Sequence, residues 1–430
     1  MPRRYWVETL GCPKNQVDSD KLAGTLLADG MAPAAGPGDA DLVVVNTCAF
    51  IEAAREESIE TVLALSGARS PSARLVVTGC LAQRYGDELA EALPEVDLVA
   101  GFGVPVTLGS RPGARPSMDL LELPRPPAAA PWAYVKVAEG CDRACGFCAI
   151  PTFRGKQRSR PPAAILREVE RLGVKEVVLV AQDLASYGRD LGRPGAVVDL
   201  VAAVAELVDR VRLLYLYPSS LSAGLVDAIC ATGVPYFDLS LQHVSRPLLR
   251  GMRRWGDGER FLARIRAIRA QEPEAAMRSS FIVGYPGETE EDHDRLLAFL
   301  AEAELDWAGF FAYSREEGTL AAGMGGAVAD GLVAARLREC SELQDAVTAR
   351  RRADLVGQEV EVLVDEPGVG RSHREAPEID GIVAVPSELA VGSLVPVVVT
   401  AAEGPDLRAE LVPAAAACGA AGAACGAAWA

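Results

Sequence analysis

Residues 133–148, Ala-Tyr-Val-Lys-Val-Ala-Glu-Gly-Cys141-Asp-Arg-Ala-Cys145-Gly-Phe147-Cys148, join an apolar run to three closely spaced cysteines. The apolar run at the start of this stretch predicts a buried strand. Three thiolates on one short loop can bind three irons of a [4Fe–4S] cluster and leave the fourth iron open to another ligand. The alternative is a zinc loop, but structural zinc usually takes four ligands, and no fourth Cys or His lies nearby in sequence. The spacing therefore favours an iron–sulfur site at the end of a strand.

Residues 131–355 repeat a pattern of an apolar strand followed by a helical stretch. Six strands are predicted: Ala133–Val137, Val177–Val180, Val211–Leu216, Phe237–Leu241, Ser279–Val283 and Ala308–Ala312. Eight such units close a TIM barrel, so six predict a partial, open (βα)6 barrel. The chemistry of such barrels takes place at the carboxyl ends of their strands, where the cysteine loop also lies.

Residues 3–112 predict a second α/β unit with an open parallel sheet. Its strands are predicted at Tyr5–Leu10, Leu42–Val45, Leu75–Val77 and Val96–Ala100. Cys12, Cys48 and Cys80 follow the first three of these apolar runs. Because the carboxyl ends of parallel strands share one edge, we expect these cysteines to converge and to hold a second three-cysteine cluster. The alternative is that they are buried as small apolar side chains.

Three shorter segments complete the predicted organisation. Residues 113–130 are too rich in proline for regular helices or strands, which is typical of a linker. Residues 356–412 contain short β runs separated by Gly, Pro and Asp, and these predict a small β-barrel. This module has 11 acidic and 3 basic residues, a net charge of −8. Residues 413–430 are an Ala/Gly tail of low complexity, predicted to be disordered or weakly helical.

Composition narrows the classes of function. A net charge of −16 and a pI near 4.8 argue against affinity for nucleic-acid phosphates and fit a basic protein partner better. No apolar stretch approaches the roughly 20 residues of a membrane span, and no export signal is visible, so we expect a cytoplasmic protein. Ten cysteines in a reducing compartment are more typical of metal ligands or catalysts than of disulfides.

The CxxxCxxC loop, with the aromatic Phe147 before its last cysteine, resembles the signature of the radical S-adenosylmethionine superfamily. Three strand-end cysteines, this loop on a barrel and a small acidic β module similar to a TRAM domain together resemble the methylthiotransferases, over about residues 3–412. The resemblance implies two S-adenosylmethionine molecules per turnover and insertion of a methylthio group at an inert C–H. It also implies two [4Fe–4S] clusters, a radical cluster on Cys141, Cys145 and Cys148 and a sulfur-delivering cluster on Cys12, Cys48 and Cys80.

Several stretches resemble the branch of this family that modifies the β-carbon of an aspartate in ribosomal protein S-twelve. They are residues 11–15, 215–218, 239–243, 281–290, 313–319 and 376–381. The acidic module supports this branch, because it would attract a basic ribosomal protein and repel tRNA. One alternative is a methylthiotransferase for the modified adenosine beside the tRNA anticodon, and another is a non-catalytic iron–sulfur factor that binds ribosomes. The resemblance further implies an electron donor of the flavodoxin or ferredoxin type and a sulfur donor.

Candidate cofactor-binding residues follow the cysteine loop and the barrel strands. They are Phe147, Gln182, Asp183, Ser186, Gln242, Gly284 and Pro286. The substrate carboxylate needs a cationic or hydrogen-bonding partner, and the sequence does not choose among five cations: Lys14, Arg154, Lys156, Arg158 and Arg160. Glu378 and Asp380 in the acidic module are predicted to contact the partner protein.

Overall fold

The computed structural model describes residues 2–106 and 119–412. The predicted tail at 413–430 and the part of the predicted linker at 113–118 lie outside the described residues. Among the described residues, no helix combines the length and the apolar character needed to cross a membrane.

The N-terminal unit is a five-stranded, wholly parallel sheet with the strand order β2-β1-β3-β4-β5. Its strands are β1 (Arg4–Thr9), β2 (Ala32–Pro33), β3 (Leu42–Thr47), β4 (Arg74–Gly79) and β5 (Leu98–Ala100). Its helices are α1 (Pro13–Ala28), α2 (Glu52–Ala68) and α3 (Cys80–Ala92). The central strand β3 is buried at all six positions, which explains why its sequence is a continuous apolar run. The predicted open α/β sheet is confirmed.

The central unit contains the six predicted barrel strands and a short antiparallel ribbon. The elements are β6 (Trp132–Lys136), β7 (Ala138–Glu139), β8 (Arg158–Ser159), β9 (Glu176–Val180), β10 (Arg210–Leu213), β11 (Tyr236–Gln242), β12 (Ala276–Val283) and β13 (Trp307–Ala312). The helices are α4 (Ile150–Arg154), α5 (Pro162–Leu172), α6 (Ala196–Ala205), α7 (Ala223–Cys230), α8 (Arg246–Gly251), α9 (Gly258–Gln271), α10 (Glu290–Ala303) and α11 (Asp330–Ala353). The partial (βα)6 barrel is confirmed, and β7 pairs with β8 beside it.

The barrel strands form two three-stranded parallel sheets, in the orders β10-β9-β6 and β11-β12-β13. The predicted third strand extends to Leu216, but β10 ends at Leu213 because Tyr215 adopts a φ of 65°. The Tyr215 amide donates to the Asp238 carboxylate at 2.9 Å instead of to a neighbouring strand. A single bridge between Leu216 and Leu239 joins the two halves of the barrel.

The C-terminal unit is a closed five-stranded barrel with the order β14-β15-β16-β18-β17. Its strands are β14 (Glu359–Glu366), β15 (Val369–Arg371), β16 (Val383–Ala384), β17 (Leu394–Glu403) and β18 (Asp406–Leu411). The predicted small β-barrel is confirmed. The exact boundaries between the three units stay a prediction.

The segment 371–380 of the C-terminal unit packs against the strand starts of the central barrel, at the end opposite the cysteine loop. Glu176 at the start of β9 accepts from Arg212 at 2.8 Å and from Arg371 at 3.1 Å, and all three side chains are at most 2% exposed. The Trp307 indole donates to the Arg374 carbonyl, and the Tyr134 hydroxyl donates to the Pro377 carbonyl. This end of the barrel is therefore closed by a plug, residues 371–380.

The plug overturns one sequence prediction. The Asp380 carboxylate is only 2% exposed, lies 3.4 Å from Arg278 and accepts from the Tyr236 hydroxyl at 2.6 Å. The predicted contact of Asp380 with a partner protein was therefore wrong, because this acidic residue neutralises a barrel arginine. Glu378 is exposed on the same turn.

A second contact fixes the N-terminal unit on the barrel near the cysteine loop. Glu316, in the segment after β13, accepts from Arg55 of α2 and from Arg84 of α3, each at 2.6 Å. Ser314 donates to the other oxygen of Glu316 and accepts from the Glu52 amide. The carboxylate is only 2% exposed, so it joins two helices of one unit to the other in a largely dry site.

Candidate functional site

A cavity of about 490 Å³ lies between the carboxyl edge of the N-terminal sheet and the carboxyl ends of the barrel strands. Its lining includes all six predicted ligand cysteines: Cys12, Cys48, Cys80, Cys141, Cys145 and Cys148. The two cysteine trios come from separate units and line the same chamber. Neither trio could have been placed there by sequence spacing alone, because that placement depends on how the two units pack.

The N-terminal trio (Cys12, Cys48 and Cys80) sits at the ends of three neighbouring strands, as predicted. Cys12 directly precedes α1, Cys48 follows β3, and Cys80 opens α3. Gly11 makes this approach possible: its φ is +94°, and a Cβ there would lie 2.8 Å from the Cβ of Cys48. Asn15 ties the loops together, because its side-chain amide donates to the carbonyls of Leu10 and Thr47 at 2.8 and 3.1 Å.

Two cations lie beside this trio. Arg154 donates to the Cys80 sulfur at 3.0 Å and to the Asn15 side chain at 2.8 Å. Burial alone would raise the pKa of Cys12, but the charges of Lys14 and Arg154 and two backbone amides hold it below its usual value. Burial raises the pKa of Cys48 to about 12. The positive charge of a metal cluster would therefore be needed to keep the trio fully deprotonated.

The barrel trio (Cys141, Cys145 and Cys148) occupies the loop between β7 and α4. The Cys141 amide donates to the Gly155 carbonyl at 3.0 Å, and the Gly146 amide donates to the Met252 carbonyl at 2.9 Å, so both ends of the loop are anchored. Burial raises the pKa of Cys141 to about 11 and that of Cys148 to about 12. These thiols therefore stay protonated when no metal is bound. A metal cluster that binds here would have to displace their protons.

The arrangement of both trios fits a cluster better than a single ion. Within residues 2–106 and 119–412, no group of three His, Cys, Asp or Glu side chains converges as one metal ion requires. Thiolates that hold a [4Fe–4S] cluster bind different irons and are therefore spaced more widely. All six cysteines nevertheless line one cavity, and soft thiolates without carboxylates are the donor set that iron–sulfur clusters use.

Two polar residues at the end of β9 present buried oxygens that lack a partner. Gln182 donates to Glu139 at 2.7 Å, but its side-chain oxygen accepts nothing from the described residues. Asp183 accepts from Arg143 at 2.6 Å through one oxygen, and its other oxygen is likewise unpartnered. Both residues line the cavity. Buried polar atoms are almost always hydrogen-bonded, so these two oxygens mark a place for a polar ligand.

The other candidate cofactor-binding residues divide by location. Phe147 and Gln242 line the cavity, and Gln242 has a φ of 72° at the end of β11. Ser186 is not among the lining residues, but its hydroxyl donates to the carboxylate of Asp183 at 2.7 Å. Gly284 and Pro286 are not among the lining residues. The Gly284 amide donates to Glu288 at 2.6 Å, and a Cβ at this position would lie 2.5 Å from the Val333 side chain of α11.

Sequence reasoning missed several residues of the chamber. Arg143, inside the cysteine loop, donates to Asp183 and to Ser220 and stacks on the Tyr217 ring at 3.8 Å. Arg254, in the segment after α8, also stacks on the Tyr217 ring, at 4.2 Å. The position of Arg143 between two ligand cysteines was a usable signal, whereas Arg254 carries no local pattern.

Comparisons with known proteins agree with this architecture. Family models match the uncharacterized protein family UPF0004 at residues 4–101, the radical SAM superfamily at 135–300 and the TRAM domain at 356–412. The ribosomal protein uS12 methylthiotransferase RimO of Saccharopolyspora erythraea is 44% identical to this chain, over 96% of each protein. The RimO proteins of Nocardioides sp. and Streptomyces coelicolor are 42% and 41% identical, over 93% and 94% of this chain and 95% of each relative.

The chain belongs to the RimO family of methylthiotransferases. It is therefore an enzyme of the radical S-adenosylmethionine class, as the sequence predicted. RimO enzymes use S-adenosylmethionine and [4Fe–4S] clusters, and a second cluster is typical of methylthiotransferases. In this chain, two cysteine trios line one chamber.

Proposed function

We propose that this protein inserts a methylthio group at the β-carbon of an aspartate in ribosomal protein uS12, by radical S-adenosylmethionine chemistry. The observation that carries the proposal is one chamber bordered by two cysteine trios. Clusters held by the two trios would supply the radical chemistry and the sulfur to one shared cavity. High identity to RimO proteins over nearly the whole chain favours this function over tRNA modification and over a non-catalytic role.

In this proposal, each cysteine trio holds one [4Fe–4S] cluster. Cys141, Cys145 and Cys148 would hold the radical cluster, and three thiolate ligands would leave one iron free for S-adenosylmethionine. Cys12, Cys48 and Cys80 hold the second cluster, on the side of the chamber from which sulfur is transferred. When bound, the clusters and S-adenosylmethionine supply the electron, the hydrogen-abstracting radical, the methyl group and the sulfur.

The chain's own side chains bind the cofactor and orient the groups that contact it. The unpartnered oxygens of Gln182 and Asp183 are suited to accept hydrogen bonds from the cofactor. Arg143 and Ser186 position Asp183 by donating to it at 2.6 and 2.7 Å. We assign Phe147 and Gln242 to the same binding surface. Gly284 and Pro286 would act indirectly, by shaping the turn that packs on α11.

Aromatic side chains limit the access of water to the chamber. Phe50 of the N-terminal unit and Phe311 and Tyr313 of the barrel line it beside the Glu316 contact. Excluding water protects a reactive carbon radical from side reactions, which is a principal task of the protein in such chemistry.

Electrons and sulfur must come from other molecules. We propose an electron donor of the flavodoxin or ferredoxin type and a separate sulfur donor, because each turnover consumes both. A cytoplasmic location belongs to the same proposal, since the substrate is a ribosomal protein.

The test separates the two trios. Anaerobically reconstituted protein is given reductant, S-adenosylmethionine and uS12, and iron, 5′-deoxyadenosine and product mass are measured. Wild type should bind about eight irons and add about 46 Da to uS12. Cys148→Ala should abolish cleavage of S-adenosylmethionine, whereas Cys48→Ala should keep some cleavage but stop sulfur insertion.

Cys230→Ala is the matched control, because this cysteine at the end of α7 is not among the residues that line the chamber. It should keep both activities and the full iron content. Sulfur insertion by the Cys48 variant would contradict the assignment of the N-terminal trio. Wild-type protein that forms 5′-deoxyadenosine but leaves uS12 unchanged would contradict the proposed substrate.

A further inference from the structure

Five cations line the chamber: Lys14, Arg143, Arg154, Arg254 and Arg278. Three of them are already neutralised by carboxylates. Arg143 pairs with Asp183, Arg154 pairs with Glu139 and Asp18, and Arg278 pairs with Asp238 and Asp380. Of the five cations proposed from sequence for the substrate carboxylate, only Lys14 and Arg154 reach this lining at all.

The two remaining cations, Arg254 and Lys14, have different surroundings. Arg254 lies beside the barrel trio: it approaches the Cys145 sulfur at 3.5 Å and donates to the Ser240 carbonyl. Lys14 stands in the first turn of α1, two residues after Cys12. The Lys14 ammonium has neither an ion pair nor a side-chain hydrogen bond with any described residue, although the residue is only 8% exposed. The chamber lining includes Lys14, so its unused hydrogen-bond donors are available there to an anionic ligand.

The Lys14 ammonium is held in place by an aromatic platform. Its nitrogen lies 3.3 Å from the centroid of the Tyr215 ring, a cation–π contact that leaves N–H donors free for a ligand. Tyr215 is itself fixed in a left-handed conformation, with φ at 65°. Such a conformation is strained in a non-glycine residue and persists only where the surroundings enforce it.

The enforcing contacts run through the barrel interior. Asp238 accepts from the Tyr215 amide at 2.9 Å and from Arg278 at 3.0 Å. Because Arg278 is also held by Asp380 of the plug, the platform under Lys14 is braced from the far end of the barrel. The ammonium, which lines the chamber, is therefore held on a braced platform.

We propose that Lys14 binds the side-chain carboxylate of the target aspartate and makes the enzyme selective for an acidic side chain. The inference rests on the proposed function, which places an aspartate between the two trios. It adds the contact that distinguishes aspartate from its uncharged isostere asparagine. Because Lys14 adjoins Cys12, a carboxylate held there keeps the adjacent β-carbon on the sulfur-supplying side of the chamber.

The first experiment measures binding without turnover. Reconstituted holoenzyme, without reductant, is titrated with uS12 and with a uS12 variant in which the target aspartate is asparagine. A hydrogen-bonded ion pair in a buried site predicts on the order of 10- to 100-fold tighter binding of the aspartate form by the wild type. Lys14→Gln should bind both forms alike, at the affinity of the asparagine form. Lys14→Arg should keep a preference for aspartate.

Lys156→Gln is the matched control, because Lys156 was an equal candidate from sequence but is exposed and outside the chamber. It should keep the wild-type preference. If Lys14→Gln also keeps that preference, the inference is overturned. If Lys14→Gln loses iron while Lys14→Arg does not, the lysine serves the Cys12 thiolate instead, and the inference is likewise overturned.

The second experiment separates this inference from the proposed function. If wild-type holoenzyme with reductant does not methylthiolate uS12, the proposed function fails, whatever the lysine does. If the wild type modifies uS12, Lys14→Gln should lose on the order of 10- to 100-fold in kcat/KM, and Lys14→Arg should recover part of it. A wild-type kcat/KM in Lys14→Gln, with an active wild type, overturns only the role of Lys14.

Discussion

Replacing Glu176 by Gln should release the plug from the start of the barrel. The Glu176 carboxylate is completely buried, and its partners Arg212 and Arg371 are 0% and 2% exposed. Burial alone would raise the pKa of Glu176, but the two guanidinium groups lower it from 4.5 to about 2. That shift corresponds to about 3 kcal/mol at neutral pH. Breaking a buried pair by removing one partner costs a similar 3–5 kcal/mol, roughly.

The sign of the pH dependence follows from the lowered pKa. The folded carboxylate binds its proton less readily than the unfolded one, so its contribution is fully present above about pH 4.5. This contribution is lost progressively as the pH falls towards 2. Glu176→Gln should lack this part of the acid dependence, while Glu375, which pairs with Arg352, keeps its own.

Hydrogen exchange is the suitable assay, because a protein of three units need not unfold in two states. Amides of residues 371–376 should exchange on the order of 10²- to 10³-fold faster in Glu176→Gln. Lys175→Gln is the control, since its pair with Asp209 is about half exposed and contributes little. An acceleration below about threefold, roughly 0.6 kcal/mol, would refute the reasoning.

Two further substitutions act at the chamber. Arg154→Gln removes the donor to Cys80 and leaves Glu139 with less compensating charge, so reconstituted protein should retain about half of the wild-type iron. Iron analysis checks this, and a full iron content would contradict it. Glu316→Gln weakens the contacts to Arg55 and Arg84, each worth about 1.5–3 kcal/mol, so 5′-deoxyadenosine should form in excess over methylthiolated product. An unchanged ratio of the two products would show that this contact does not align the units.

The parallel sheet and the barrel were predictable because their strands are buried on both faces. Runs such as Leu42–Val45 need no partner information to be recognised, and the β3 strand they predicted lies within a residue or two of its observed ends. The strand-end positions of Cys12, Cys48 and Cys80 followed from the same logic, since a parallel sheet places its carboxyl ends on one edge.

The remaining features depend on contacts distant in sequence. The early end of β10 at Leu213 results from a hydrogen bond between Tyr215 and Asp238, 23 positions along the chain. The burial of Asp380 results from the packing of one unit on another, although its local sequence looks like an exposed turn. Composition could give the net charge of the C-terminal module but could not show which of its carboxylates form ion pairs with arginines.

The bond between Arg154 and Cys80 bears on how such enzymes can be recombined. Arg154 is six positions beyond the last cysteine of the barrel loop, yet it donates to a cysteine of the N-terminal sheet. A chimaera that exchanged only residues 4–101 between two family members would transfer three cysteines. It would leave behind the guanidinium that donates a hydrogen bond to one of them. The shortest segment that would transfer this site intact therefore extends to residue 154, past the boundary between the N-terminal unit and the central unit.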